Sequence, residues 1–316
     1  MAQRTNSETA VVSLAAIRRP KRGVAEYLFF ERQQIFTLRT TPGRRSETAT
    51  LFRRALRAKA PLKVVLDSRR GRIEHVDTPT PDEIETFKRG KIPPEVRGTT
   101  KTIDVARIDP TTFNAVDLRL KVPIFRLCTR TIPNYAKAKE IFDFCAKQAC
   151  YLGGPFDISP CIPFQYVIDG CYARAHKMRQ IITTRYRYCC EKVFSFANQG
   201  NDTLAVKADK WGGCCVYWWY HVAPLVRVRV RLRPCTLTLA MVIDPGMFDK
   251  PVLLSTWLTA QANANCSPDA NVSMYSIQPG SAYWPTNYAG TTFGTDPSYT
   301  LTDGTLIDYQ SLTTCP

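Results

Sequence analysis

The stretch PFQYVIDGCYARAHKMRQII, residues 163–182, decides the reading of this chain. Asp169-Gly170-Cys171 opens a helix that should run from Cys171 to about Thr183. A thiol then sits at a helix start, where free N–H groups and the positive end of the helix dipole lower a thiol pKa and can hold an oxyanion. Cys171 is therefore a candidate nucleophile. Asp169 reads as the cap of that helix rather than as an acid catalyst. His176 follows five residues later, about 140° round the helix, and reads as structural.

Two further segments supply partners. WGGCCVYWWYHV (211–222) places His221 late in a strand-like aromatic run, and MVIDPGMF (241–248) ends a strand at Asp244. Strands over Cys214–Leu232 and Thr236–Ile243, joined by a turn near Arg233-Pro234, would pair as a hairpin. His221 and Asp244 then become cross-strand neighbours. With Cys171 facing that sheet, the three form a nucleophile, a base and its orienting carboxylate. Tyr166, Trp218, Trp219 and Tyr220 either wall a substrate pocket or pack the core. Residue types alone leave this open, because twelve cysteines offer many pairings and a lone His is often a core residue.

The chain has 316 residues, 44% of them hydrophobic, enough for two domains with real cores. No apolar run reaches the ~18 residues a membrane span needs. The net charge of +16 is uneven: residues 1–130 hold 27 Lys+Arg against 14 Asp+Glu, and the remainder holds 16 against 13. No aromatic-interleaved motif accompanies the basic residues, so they read as a solvated surface. Neither a nucleic-acid nor a membrane partner is expected.

Cysteines are absent before Cys128. Eleven lie in 131–316, and setting Cys171 aside leaves ten, an oxidised framework of up to five bridges. Cys150–Cys161 is the expected short-loop pair, and one of Cys189 or Cys190 is expected to bridge one of Cys214 or Cys215. Adjacent cysteines lack the spacing of structural zinc, so no metal and no cofactor is expected. Cys128 is the odd thiol. At the N-terminus, Ala10–Ile17 is apolar but short and runs into Arg18-Arg19-Pro20-Lys21-Arg22, which is not a secretion-signal pattern.

The first part reads as a small α/β unit. Residues 1–22 look flexible. Tyr27–Leu38 suits one strand or two, Ser46–Ala60 a helix, Leu62–Leu66 a strand, and Pro79–Lys88 a helix capped by Thr80 with Pro81 at its first position. His75 reads as a surface residue. Residues 91–134, punctuated by Pro and basic residues, suit an exposed linker with cleavage points at Lys121, Arg126 and Arg130. A helix over Ala136–Ala149 follows, and the tail from Gly246 reads as loop.

Segments 163–182 and 211–248 closely resemble the protein-glutaminases, the bacterial protein deamidases. The resemblance rests on Asp169–Ile181 (DGCYARAHKMRQI), Cys214–Ala223 (CCVYWWYHVA) and Val242–Phe248 (VIDPGMF), in that order. It covers about 131–316 well and 46–98 more loosely. It implies an α+β, cysteine-protease/transglutaminase-like catalytic domain: a helix bearing the Cys packed on an antiparallel sheet bearing His and Asp. A small α/β pro-domain precedes it.

On the resemblance, 131–316 is the catalytic domain and 1–130 an inhibitory pro-region that is cut off. Cys171 is nucleophile, His221 base then acid, and Asp244 its orienter. The reaction is hydrolysis of protein glutamine side chains to glutamate, with ammonia released through a thioester. The implied partners are proteins and peptides with accessible glutamine and an activating protease, for a secreted monomer. If the strand 27–38 lies across the cleft, Gln33 or Gln34 would sit there as a pseudosubstrate. A transglutaminase or cysteine protease would use the same triad. A basic, disulfide-rich binding protein would carry it incidentally.

Overall fold

The computed structural model describes residues 7–18, 24–38, 45–90, 96–97, 99–102, 131–197, 202–232, 235–285 and 292–315. The expected cleavage points Lys121, Arg126 and Arg130, the thiol Cys128 and the turn at Arg233-Pro234 lie outside these residues.

The first unit is a barrel with two helices. Strands β1 (Ser7–Arg18), β2 (Glu26–Phe29) and β3 (Ile35–Leu38) precede helix α1 (Arg45–Ala58). Strands β4 (Pro61–Asp67) and β5 (Arg72–Asp77) precede helix α2 (Pro81–Gly90). The barrel closes in the order β1-β2-β3-β5-β4, with β1 pairing β4 antiparallel and β3 pairing β5 in parallel. Its interior holds Val12, Leu14, Tyr27, Phe29, Phe36, Leu62, Val64, Leu66 and Ile73, with Phe52 and Ala55 supplied by α1. Thr80 caps α2: its Oγ1 accepts from the Glu83 N–H at 3.3 Å, and the Glu83 carboxylate accepts from the Thr80 N–H at 2.8 Å.

Residues 7–18, expected to be flexible, form instead the longest strand of the barrel. Val12 and Leu14 face the barrel interior, whereas Ala15 and Ala16 join the core of the second unit. Burial on both faces hides the alternation by which a strand is usually read.

The linker expectation is corrected at 96–102. There β6 (Val96–Arg97) and β7 (Thr99–Thr102) hydrogen-bond to strands of the second unit. That unit continues with helices α3 (Tyr135–Ala146) and α4 (Cys171–Thr184), then strands β8 (Glu191–Phe196), β9 (Leu204–Lys207), β10 (Cys215–Trp218), β11 (Tyr220–Leu232) and β12 (Cys235–Val242). After them come β13 (Val252–Leu253), helix α5 (Leu254–Thr259), β14 (Met274–Pro279), β15 (Ala282–Pro285), β16 (Thr292–Thr295) and helix α6 (Thr300–Tyr309). The main sheet is six-stranded, in the order β13-β12-β11-β8-β14-β7, and every pair in it is antiparallel. β9 and β10 form a separate ribbon, and β15-β16-β6 a third sheet.

The expected strand 214–232 is broken at Trp219. β10 pairs with β9, whereas β11 pairs with β8 and β12. Alternation along β11 then sorts its side chains. Tyr220, Val222, Val226 and Val228 pack with α3 and α4, while Ala223 and Leu225 pack with Trp218 and Trp257 on the opposite face. His221 shares the parity of Ala223 and Leu225.

The tail was expected to be loop, yet β14 lies inside the main sheet between β8 and β7. Its polar residues Ser276 and Gln278 are buried and bond to each other at 2.5 Å, so polarity there does not mark exposure.

Among the described residues three disulfides tie the second unit: Cys150–Cys161 as expected, Cys214–Cys315 and Cys215–Cys266. The expected bridge from Cys189 or Cys190 to Cys214 or Cys215 does not form, because Cys214 and Cys215 are taken by Cys315 and Cys266. The register places Glu191 opposite Leu225, six residues along the strand from Trp219, or roughly 20 Å at strand rise. Cys190 therefore adjoins the middle of β11, whereas Cys214 and Cys215 lead into β10 of the separate ribbon.

Candidate active site

Cys171 is the first residue of α4. The residue before it, Gly170, has φ +79°, and a Cβ there would meet the Tyr309 ring at 2.8 Å. Glycine is thus required on two counts: for the left-handed turn that starts the helix, and for the close approach of Tyr309. The preceding segment is pinned from several sides. Arg174 Nη1 donates to the carbonyls of Tyr166 (2.6 Å) and Asp169 (2.5 Å), and Tyr309 donates its hydroxyl to Asp169 Oδ2 at 3.0 Å. Thr314 Oγ1 accepts from the Val167 N–H at 2.9 Å and donates to Gln165 O at 2.7 Å.

His221 and Asp244 meet as expected. His221 Nε2 lies 2.9 Å from Asp244 Oδ2, and Trp257 Nε1 donates to the same oxygen at 2.9 Å. The imidazole is stacked between Trp218 (4.5 Å between centroids) and Trp257 (5.4 Å). Its other nitrogen, Nδ1, is buried with no hydrogen-bond partner. Burial pushes the Asp244 pKa up, but the hydrogen bonds from His221 and Trp257 outweigh it and hold the carboxyl below the usual range. The Cys171 thiol receives the Val222 N–H and senses the Asp244 charge. Burial raises its pKa well above the ordinary thiol value, with Arg174 pulling the other way. Cys171, His221 and Asp244 are 1%, 3% and 6% exposed, so the site is closed.

What closes it is the turn between β2 and β3. Gln33, fully buried, places its carboxamide on the start of α4. Its Oε1 accepts from the Cys171 N–H at 3.1 Å, and its Nε2 donates to the carbonyls of Val167 (2.9 Å) and Ile168 (3.3 Å). The Gln33 backbone is fixed on both sides, its N–H donating to Asp169 Oδ1 (3.1 Å) and its carbonyl accepting from the Trp219 N–H (3.0 Å). Arg32 lies 3.4 Å from Asp169. Gln34 does not enter the site: its Nε2 turns back into the barrel and donates to Ser68 O at 2.8 Å.

The aromatic candidates divide in the same way. Trp218 Nε1 donates to the Val167 and Ile168 carbonyls that hold Gln33, and Trp219 Nε1 donates to Phe29 O and Arg32 O of the turn. Tyr166 meets Tyr309 edge-on, and Tyr220 is core-facing between Trp219 and Phe196. Asp169 is not a helix cap, because Gly170 holds that position without a side-chain bond. It is instead the carboxylate that receives the turn. His176 is structural: its Nε2 lies on Asp296 O and its Nδ1 on Lys192 Nζ. Burial, then Lys192, drives its pKa down to about 2.

Trp257, Arg174, Tyr309 and Arg32 were missed from sequence. Only Trp257, an isolated tryptophan in a polar tail, carried a signal that could have drawn notice. Among the described residues no group of His, Cys, Asp and Glu is placed to hold a metal.

The sequence model of a glutaminase family matches residues 138–261. A crystal structure of protein-glutaminase is 34% identical over 58% of this chain and 91% of its own length, with a TM-score of 0.50. The chain belongs to the protein-glutaminase family. An NMR structure of protein-glutaminase from Chryseobacterium proteolyticum is 35% identical over 58% of this chain and 91% of that one, with a TM-score of 0.51. A crystal structure of pro-protein-glutaminase extends the likeness to 98% of this chain and 95% of that one, at 27% identity and a TM-score of 0.71. No curated protein sequence matches. Membership in the protein-glutaminase family makes the chain a glutamine-deamidating hydrolase of mixed α+β fold, similar along nearly its whole length to a pro-form.

Proposed function

We propose that Cys171, His221 and Asp244 form the triad of a protein deamidase, and that the barrel is its inhibitory pro-region. The reading is carried by one observation: a glutamine side chain of the protein lies in the site with its oxygen on the nucleophile's own N–H. Gln33 is then the pseudosubstrate, and Gln34 has no part. Asp244 fixes Nε2 of His221, which leaves Nδ1 as the base that takes the thiol proton. The thiolate attacks the carboxamide carbon, and the Cys171 N–H at the helix start holds the oxyanion. His221 protonates the departing ammonia. It then activates the water that hydrolyses the γ-glutamyl thioester to glutamate.

The carbonyls of Val167 and Ile168 select for the carboxamide, since a carboxylate has no proton to give them. Residues 1–130 act as pro-region and 131–316 as catalytic domain, separated by an activating protease. The substrates are proteins and peptides with accessible glutamine. Three disulfides suit secretion into an oxidising compartment, and the chain acts as a monomer.

The test is ammonia release from casein before and after limited proteolysis, with Cys171→Ala as control. Activity that appears on cutting and is absent in the variant is the expected result. No ammonia from a cut, folded chain defeats the reading.

A further inference from the structure

The barrel closes the site with a side chain that the site is built to hydrolyse. Blocking alone needs only bulk, and any residue on this turn would supply it. Gln33 instead presents a carboxamide whose oxygen lies where negative charge would develop and whose nitrogen is held by two carbonyls. Arg32–Asp169 and the two backbone bonds of Gln33 fix that side chain from both sides. The reacting group is thus pre-positioned, at the high effective concentration of an intramolecular partner.

We propose that the chain is its own first substrate: Cys171 deamidates Gln33 within the uncut molecule, and the glutamate so formed loosens the barrel. This rests on the triad reading above. A bond forms between Cys171 Sγ and the Gln33 carboxamide carbon, and the bond to Nε2 breaks. The thiol proton passes through His221 to the leaving nitrogen, which departs as ammonia. Water then adds to the thioester, and its proton returns through His221 to sulfur. The net change is glutamine plus water to glutamate plus ammonia, with no redox partner.

The product fits worse than the reactant. A carboxylate at position 33 keeps the bond from the Cys171 N–H but sets its second oxygen against the Val167 and Ile168 carbonyls, where two donated hydrogen bonds stood. It also adds charge next to Asp169, which is buried. Both changes oppose retention of the turn, and neither is reversible under hydrolytic conditions. Deamidation of Gln33 therefore acts as a one-way release that precedes or assists proteolysis. The closed site admits water poorly, so hydrolysis of the thioester is the slow half.

The experiment follows the mass of the peptide containing residue 33 in the full chain over time, with Cys171→Ala alongside. A gain corresponding to amide-to-acid exchange is expected in the parent and not in the variant. A loss of one ammonia, with residues 33 and 171 cross-linked, is the same reaction stopped at the thioester and also supports the proposal. Residue 33 remaining glutamine, while the same preparation after proteolysis releases ammonia from casein, overturns self-deamidation and leaves the triad standing. No ammonia from the cut chain overturns both. As a second reading, Gln33→Glu in the full chain should raise the rate of Cys171 alkylation about tenfold or more, the cost of the lost bonds. An unchanged rate overturns the release step.

Discussion

The barrel and the sheet domain solve the same problem, holding β-structure together, by different means. The barrel closes on itself, fills its interior with residues such as Phe29, Phe36 and Phe52, and contains no cysteine. The sheet domain is tied by three disulfides, and its own tail braces it. Tyr309 reaches Asp169, Thr314 reaches Val167, and Cys315 next to Thr314 is bridged to Cys214. The segments that carry Cys171 and its neighbours are therefore braced by contacts within the sheet domain. What the barrel lays over them, among the described residues, is the Phe29–Gln34 turn, together with Ala15, Ala16, Leu28 and Phe30 on the second unit's core, while Arg18 bonds the Ala197 carbonyl beside it. On the proposed reading the barrel is an inhibitor, and among the described residues it shares no disulfide with the site, so it can be removed without unmaking the site.

The sharpest break in this comparison is Asp244→Asn. It should lower kcat of the cut chain by about 10³- to 10⁴-fold, because His221 loses the partner that sets its tautomer. The uncut chain should stay as tightly closed as before. A loss of under tenfold would remove Asp244 from the orienting role.

Replacing Cys214 and Cys315 together by alanine should cost the sheet domain about 4 kcal/mol, since that bridge spans 101 residues. The barrel should be untouched. All five tryptophans lie at position 211 or beyond, so tryptophan fluorescence in denaturant follows the sheet domain and, through Trp219, its contact with the barrel turn. Equal destabilisation of both units would show that they unfold as one.

Arg32→Ala removes the buried ion pair with Asp169 and should weaken closure by on the order of 2 kcal/mol, about thirtyfold. Ammonia release by the uncut chain is the readout, and the cut chain should be unaffected. The pH profile of Cys171 alkylation sharpens the same point. Burial is the largest cause raising this thiol, so removing the barrel removes part of that cause. The midpoint of alkylation should move to lower pH on cutting, and a midpoint that stays put would mean that the barrel does not desolvate the thiol. The smallest effect is expected from Thr80→Ala, which uncaps α2 and should cost the barrel about 1 kcal/mol, with no change in the cut enzyme's activity.

The site was legible where its chemistry is local. Gly170-Cys171 at a helix start, His221 in an aromatic run and Asp244 after a strand each carry their meaning within a few residues. The hairpin between β11 and β12 brings the last two together. The helices α1 and α2 were legible for the same reason, since caps and periodicity are short-range. The tail was not, because β14 buries Ser276 and Gln278, which bond to each other, and buried polar residues look like loop residues in a sequence. The strand β1 was lost because both of its faces are covered.

The sequence by itself determined which side chains are candidates for the chemistry and which cysteines exist to be oxidised. Only the tertiary structure decided which cysteines meet. Cys190 leads into β8 of the main sheet, whereas Cys214 leads into β10 of the separate ribbon and is bridged to Cys315. It also chose between Gln33 and Gln34. Neighbours in a turn point to opposite sides, and docking of the barrel on Trp219 and Asp169 sends the first to Cys171 and the second back to Ser68.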